Sequence, residues 1–160
     1  MPKVILICGR LCSGKTTYAR EICRKSKAVM LSVDELMLSL LDPYLGDRHE
    51  YYTEKAQKYL FDRSLDILEA GADVVLDWGF WTNASREYAR EFYKSRGIPC
   101  EMHYIVIDEA EWKARIAKRN ESVAAGEISA YFVDENLAEK FEGMFELPRY
   151  DEIEVIVNGG

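Results

Sequence analysis

Apolar residues fall along this chain in short unbroken runs, separated by longer stretches in which they recur every three or four positions. Val4 to Cys8 is the first run, and Gly9 ends it. A continuous apolar segment of that length reads as a strand covered on both faces. Lys15 to Ser26 follows, with Tyr18, Ala19, Ile22 and Cys23 on one side at the spacing of an amphipathic helix. Ala28 to Ser32 is a second short strand. Ser32-Val33-Asp34-Glu35 then has capping-box spacing and opens a helix to about Leu41, which Asp42-Pro43 ends. Thr53 to Ala70 predicts a longer helix, with Ala56, Leu60, Ser64, Ile67 and Leu68 near one stripe and Gly71 at its end.

The alternation continues to the last residues. Asp73 to Asp77 is a third buried strand, and Asn83 to Arg96 is a helix closed by Gly97 and Pro99. Met102 to Ile107 is a fourth strand, after which Asp108 to Glu111 cap a helix. Polar, glycine-containing residues from Asn120 to Glu127 read as a loop before a last helix, about Ser129 to Phe145. Pro148 breaks that helix, and Ile153 to Val157 is a fifth strand. Strands that alternate with helices predict a parallel sheet covered on both faces. The expected fold class is α/β, as one domain over residues 1–160.

Charge narrows the classes of partner. The net charge of −7 argues against a protein whose main affinity is for nucleic-acid phosphates, although it leaves room for a local basic pocket. The four cysteines (Cys8, Cys12, Cys23 and Cys100) show no metal-ligand spacing, so free thiols in a reducing cytosol are expected. Lys3 and the five apolar residues after it make too short a run for a signal peptide. No run approaches the length of a membrane span.

The first strand and first helix are joined by Gly9-Arg10-Leu11-Cys12-Ser13-Gly14-Lys15-Thr16, which fits G-x-x-x-x-G-K-[ST]. A strand, a glycine turn and a helix N-terminus make an anion site, because the first amides of the helix lack carbonyl partners and its dipole favours negative charge. In this pattern Lys15 reaches the β- and γ-phosphates of a nucleoside triphosphate, and the Thr16 hydroxyl meets Mg²⁺. The expected nucleotide-binding set is Gly9, Leu11, Cys12, Ser13, Gly14, Lys15, Thr16 and Thr17.

Four segments, "GRLCSGKTTYARE", "LSVDELM", "VVLDWGFWTNASREYAREF" and "WKARIAKRN", carry a resemblance to the small P-loop kinases. These include the kinase domain of phage polynucleotide kinase, chloramphenicol phosphotransferase, zeta toxins and bacterial proteins labelled AAA-family ATPase. The resemblance implies a kinase-like three-layer α/β/α P-loop fold with sheet order 2-3-1-4-5. It further implies ATP and Mg²⁺ as cofactors, and transfer of the γ-phosphate to a hydroxyl of a small molecule. The matching residues carry the family roles: Asp34 as the base or ligand for the acceptor hydroxyl, and Asp77 as the Walker B carboxylate of the Mg²⁺ shell. Arg115 and Arg119 would be lid arginines meeting phosphates and adenine, in a lid of about residues 113–130.

The residues also allow plainer roles. Asp34 suits the first turn of a helix through charge–dipole attraction alone, and Asp77 suits a strand-end turn. Trp78, Phe80 and Trp81 could wall an acceptor or pack a helix onto the sheet. Arg115 and Arg119, with Lys113 and Lys118, could be a solvated face paired to Glu109 and Glu111. His49 reads as an incidental loop residue and His103 as a hydrogen-bonded core residue. Two other functions compete with a small-molecule kinase. One is a polynucleotide 5′-hydroxyl kinase, which the acidic net charge disfavours. The other is a nucleotide-binding switch or weak ATPase acting on a protein, which would need no carboxylate at Asp34.

Overall fold

The computed structural model describes residues 1–43, 45–127 and 133–159. Five parallel strands form one sheet in the order β2-β3-β1-β4-β5: β1 Val4–Cys8, β2 Ala28–Leu31, β3 Asp73–Gly79, β4 Cys100–Val106 and β5 Val155–Asn158. The helices between them are α1 Lys15–Lys25, α2 Val33–Leu40, α3 His49–Glu69, α4 Asn83–Lys94, α5 Glu109–Ala124 and α6 Glu135–Met144. This is the 2-3-1-4-5 order of the P-loop kinase fold.

Alternation along β1 explains the three layers. Val4, Leu6 and Cys8 face a core shared with Phe61 and Leu68 of α3 and Ala89 and Tyr93 of α4. Ile5 and Ile7 point the other way, onto Ala19, Tyr18 and Ile22 of α1. With both faces covered, every residue of β1 is buried, as its unbroken apolar run requires. Two smaller clusters flank the sheet. Val33 and Met37 of α2 pack on Ala56 and Leu60 of α3, and Trp112 and Ile116 of α5 pack on Ile107, Val133, Leu11 and Cys12. The second of these seats α5 directly on the glycine loop.

Several boundaries differ from the sequence reading. A 3-10 turn at Gly46–Arg48 runs straight into α3, which therefore starts at His49 rather than Thr53. β3 continues past Asp77 to Gly79, because Gly79 still pairs with Cys8 across a register shift in β1. Asn120 does not open a loop, since α5 continues to Ala124. Its side chain bonds both backbone groups of Val133, accepting from the amide at 2.8 Å, so the asparagine is satisfied by a distant segment and the local backbone stays helical. The helix ends at Ala125 and Gly126, whose φ of +74° suits glycine. Asp134 caps α6 at Leu137 N. The expected start of that helix near Ser129, and the far end of the expected lid, fall on 128–132, outside the described residues. No helix among the described residues is long and apolar enough to cross a membrane.

Candidate functional site

The site lies at the carboxyl edge of the sheet, where β1, β2 and β3 end in Gly9, Ser32 and the turn after Asp77. Gly14 takes φ +96°, and α1 begins there with no side-chain cap and no acidic residue in its first turn. Its first amides and its dipole are thus left for an anion. Ser13 is fully buried, and its Oγ has no hydrogen-bond partner. An orphaned buried hydroxyl beside free helix amides is the arrangement a phosphate oxygen satisfies. The loop therefore fits a nucleotide phosphate.

Lys15 Nζ donates to its own loop, to Arg10 O at 2.6 Å. Burial lowers the Lys15 pKa, against the opposing pull of Asp77 and then Asp34. A desolvated cation bonded to a carbonyl, with two carboxylates in electrostatic reach, exchanges readily toward an incoming phosphate. Thr16 Oγ1 donates to Asp77 Oδ2 at 2.7 Å. This hydroxyl–carboxylate pair suits Mg²⁺, which takes few protein ligands and keeps several waters. No cluster of three or more His, Cys, Asp or Glu residues that could hold a metal occurs among the described residues. A Thr–Asp pair completed by phosphate oxygens needs none.

Asp34 sits in the first turn of α2, whose start is fixed by Ser32 Oγ accepting from Glu35 N at 3.2 Å. The residue is open to solvent but ringed by protein, within electrostatic reach of Lys15, Arg119, Asp77 and His49. The surrounding protein raises its carboxyl pKa more than Lys15 and Arg119 lower it. Solvent access keeps that effect modest. His49 thus belongs to the charge environment of Asp34, which its loop position in the sequence did not indicate.

The two arginines of α5 both reach the glycine loop. Arg119 Nη1 donates to Cys12 Sγ at 3.2 Å, over the glycine loop, and its buried Nε has no partner. Arg115 is held at the same loop by other partners: Nε donates to Glu111 at 2.8 Å, Nη2 donates to Gly159 O, and Nη1 lies 3.0 Å from where a Cβ on Gly14 would stand. The three aromatics divide. Phe80 is buried and Trp78 packs on Phe61, so both belong to the core. Trp81 alone turns to the loop, with Nε1 donating to Gly9 O at 2.9 Å and its ring 5.0 Å from Phe141. His103 is a buried hydrogen-bonded residue, 2.7 Å from Tyr18 Oη and 3.1 Å from Glu101. All four cysteines are free.

Three contacts at the site had no counterpart in the sequence reading. Arg10 pairs with Glu142 at 3.0 Å, Gly159 packs on Ser13 O, and Arg86 lies fully buried behind Phe80. The first two join segments far apart in the chain, and the third depends on Glu152 from a distant segment, proximities that no local pattern encodes.

A sequence family described as "AAA domain" matches residues 4–146. No curated protein matches the chain. Among solved structures it is similar to an unliganded sugar kinase from Janibacter sp. HTCC2649, with 15% identity over 99% of this chain and 86% of that one, at a TM-score of 0.66. Kti12 from Chaetomium thermophilum, in complex with ADP-AlF3, is similar at 17% identity and a TM-score of 0.67, over 97% and 87% of the two chains. A chain of the Pnkp1/Rnl/Hen1 RNA repair complex is similar at 21% identity and a TM-score of 0.72, over 89% of this chain and 43% of that one. At these identities the likenesses establish the fold.

Proposed function

The chain belongs to this AAA-domain family with a P-loop kinase-like fold, and from that premise we propose that it is a Mg²⁺-dependent kinase carrying the γ-phosphate of ATP to a hydroxyl of a small molecule. The observation that carries the reading is Asp34. It is a second carboxylate, open to solvent, in the same charge cluster as Lys15, Asp77 and Arg119. A nucleotide switch needs the P-loop and Asp77 but no acceptor base.

In this reading Gly9, Leu11, Cys12, Ser13, Gly14 and Thr17 wrap the phosphates, and Lys15 leaves Arg10 O for the β- and γ-phosphates. Thr16 would hold Mg²⁺ and Asp77 would hold its water shell. When bound, the ion neutralises phosphate charge that would otherwise repel the incoming oxygen. Asp34 orients the acceptor hydroxyl and takes its proton as the new O–P bond forms and the bond from the γ-phosphorus to the β,γ-bridging oxygen breaks, releasing ADP. Arg119 moves from Cys12 onto the phosphates, where a guanidinium stabilises the spread charge of the transition state. Arg115, whose Nη1 lies against Gly14, joins it there as the second lid arginine, steadied by Glu111 and Gly159. The similarity to a sugar kinase supports a small hydroxyl acceptor, and the similarity to the RNA repair complex is the support for a polynucleotide acceptor. The net charge of −7 favours the former.

Two outcomes are expected. Replacing Asp77 by Asn removes the charge that orients the metal's waters, so Mg²⁺ titrations of activity should shift about 10–100-fold toward higher metal. Closure of a lid of about residues 113–130 should protect the amides of 115–127 from hydrogen exchange when a triphosphate analogue is added. Equal exchange with and without the analogue would remove the lid from the account. The function itself is tested by a panel of sugars, nucleosides and antibiotics with γ-labelled ATP. Saturable label transfer to one acceptor supports it, and ATP turnover indifferent to every acceptor while dependent on a protein partner supports the switch.

A further inference from the structure

The chemistry proposed above makes no use of Arg86, yet among the described residues this is the largest side chain with no solvent exposure. A guanidinium cannot shed its proton, so its burial must be compensated by acceptors around it. Arg86 Nη1 donates to Phe80 O at 2.8 Å, Nη2 donates to Asn83 Oδ1, and Nε faces Glu152 Oε1 at 3.5 Å.

Phe80 is the residue that needs holding. It has φ +46°, a left-handed conformation unfavourable for a side chain of that bulk, and it follows Gly79 at φ +81°. Its carbonyl takes two donors from the core, Arg86 Nη1 and, at 3.6 Å, the thiol of Cys8. Gly79 cannot be replaced cheaply, because a Cβ there would lie 2.5 Å from Trp81 Nε1. Two successive left-handed residues, one of them strained, thus make the turn that carries the chain from β3 into α4.

That turn grips the phosphate loop. Gly9 N donates to Gly79 O at 3.1 Å, and Gly9 O accepts from Trp81 Nε1 at 2.9 Å. Both backbone polar groups of the first P-loop glycine are therefore bonded to the turn on either side of Phe80. Trp81 is in turn fixed by Glu146 N, which donates to its carbonyl at 2.7 Å. We propose that Arg86 is a positioning residue for nucleotide binding: it holds the Phe80 carbonyl, which fixes the left-handed turn 79–81, which clamps Gly9 at the entry of the P-loop. The proposal rests on the reading that this loop takes the phosphates of ATP.

A purely structural Arg86 would only neutralise Glu152 and tie down the segment before β5. Its loss would then lower stability and leave the affinity of the folded protein for ATP unchanged. The test compares wild type, Arg86→Met, Trp81→Phe and the double variant by titration calorimetry with Mg·ATP, at a temperature where thermal melts show each protein folded. Trp81→Phe removes the indole donor and keeps an aromatic ring against Phe141. It should weaken ATP binding about 3- to 10-fold, the worth of one lost hydrogen bond. Arg86→Met should weaken it at least as much. The double variant should be no weaker than Arg86→Met alone, because both act through one clamp. Arg86→Lys, which keeps one donor for Phe80 O, should recover part of the loss and stands in if Arg86→Met does not fold. Affinities unchanged within about twofold in Trp81→Phe, or losses that multiply in the double variant, would overturn the clamp. A wild-type protein that binds no ATP, like Lys15→Ala, would overturn the nucleotide reading and the clamp with it.

Discussion

Asp34→Asn is expected to bind ATP nearly normally and to transfer phosphate about 10²–10⁴-fold more slowly, the usual worth of a general base. The amide matches the carboxylate in size and still accepts a hydrogen bond, so it can orient a hydroxyl, but it cannot take the proton. The neighbours of Asp34 sharpen the expectation. Surrounding protein raises its carboxyl pKa, so the base is lost from the acid side. Activity should fall as pH drops through that raised pKa, and the acid limb should be absent from the residual activity of Asp34→Asn. The linkage to stability has the opposite sense. A raised folded-state pKa means the folded protein holds the proton more tightly, so stability is greater below that pKa and declines as pH rises through it. Asp34→Asn should therefore melt no lower than wild type at neutral pH. A helix-terminal Asp serving only the dipole would give the reverse on both counts, with normal transfer and a slightly lower melting temperature.

Lys15→Ala should weaken binding of Mg·ATP by roughly 10–100-fold, the range expected for losing a hydrogen bond to a charged group. The fold should survive, because among the described residues Nζ bonds only Arg10 O and its charge is disfavoured by burial. Affinity for AMP, which lacks the phosphates Lys15 reaches, should change little. Titration calorimetry with the two nucleotides separates a lost phosphate contact from a damaged loop. Equal weakening of both would mean the loop itself had moved.

The fold was legible because the central strands are covered on both faces. Val4–Cys8 and the DVVLD segment carry unbroken apolar runs that no exposed element would tolerate, and glycine or proline closes most of the helices between them. Boundaries were misread where a tertiary contact overrode local polarity, as at Asn120, whose side chain serves Val133 instead of ending α5. The sheet order came from resemblance, since strand adjacency leaves no trace in periodicity. At the site, the placement of the glycine loop and of Asp34 was legible because each sits at a helix start that the sequence marks, and that of Asp77 because it follows the apolar run of β3. The different partners that hold Arg115 and Arg119 at the loop were not, because both occupy one helix face and the partners, Gly159 and Cys12, come from distant segments. Nor was the burial of Arg86, which depends on Glu152 and the carbonyl of Phe80 arriving from other segments.

The central claim is that this site moves phosphate onto an organic hydroxyl and does not merely bind or hydrolyse ATP. The most direct measurement follows the fate of the γ-phosphate. Wild type, Asp34→Asn and Lys15→Ala are incubated with γ-labelled ATP, Mg²⁺ and a protein-free pool of cellular metabolites, and the products are separated by charge and phosphatase sensitivity. The account predicts label in a phosphatase-sensitive organic ester with wild type and nearly none with either variant. Label released only as inorganic phosphate, at the same rate in wild type and Asp34→Asn, would contradict it.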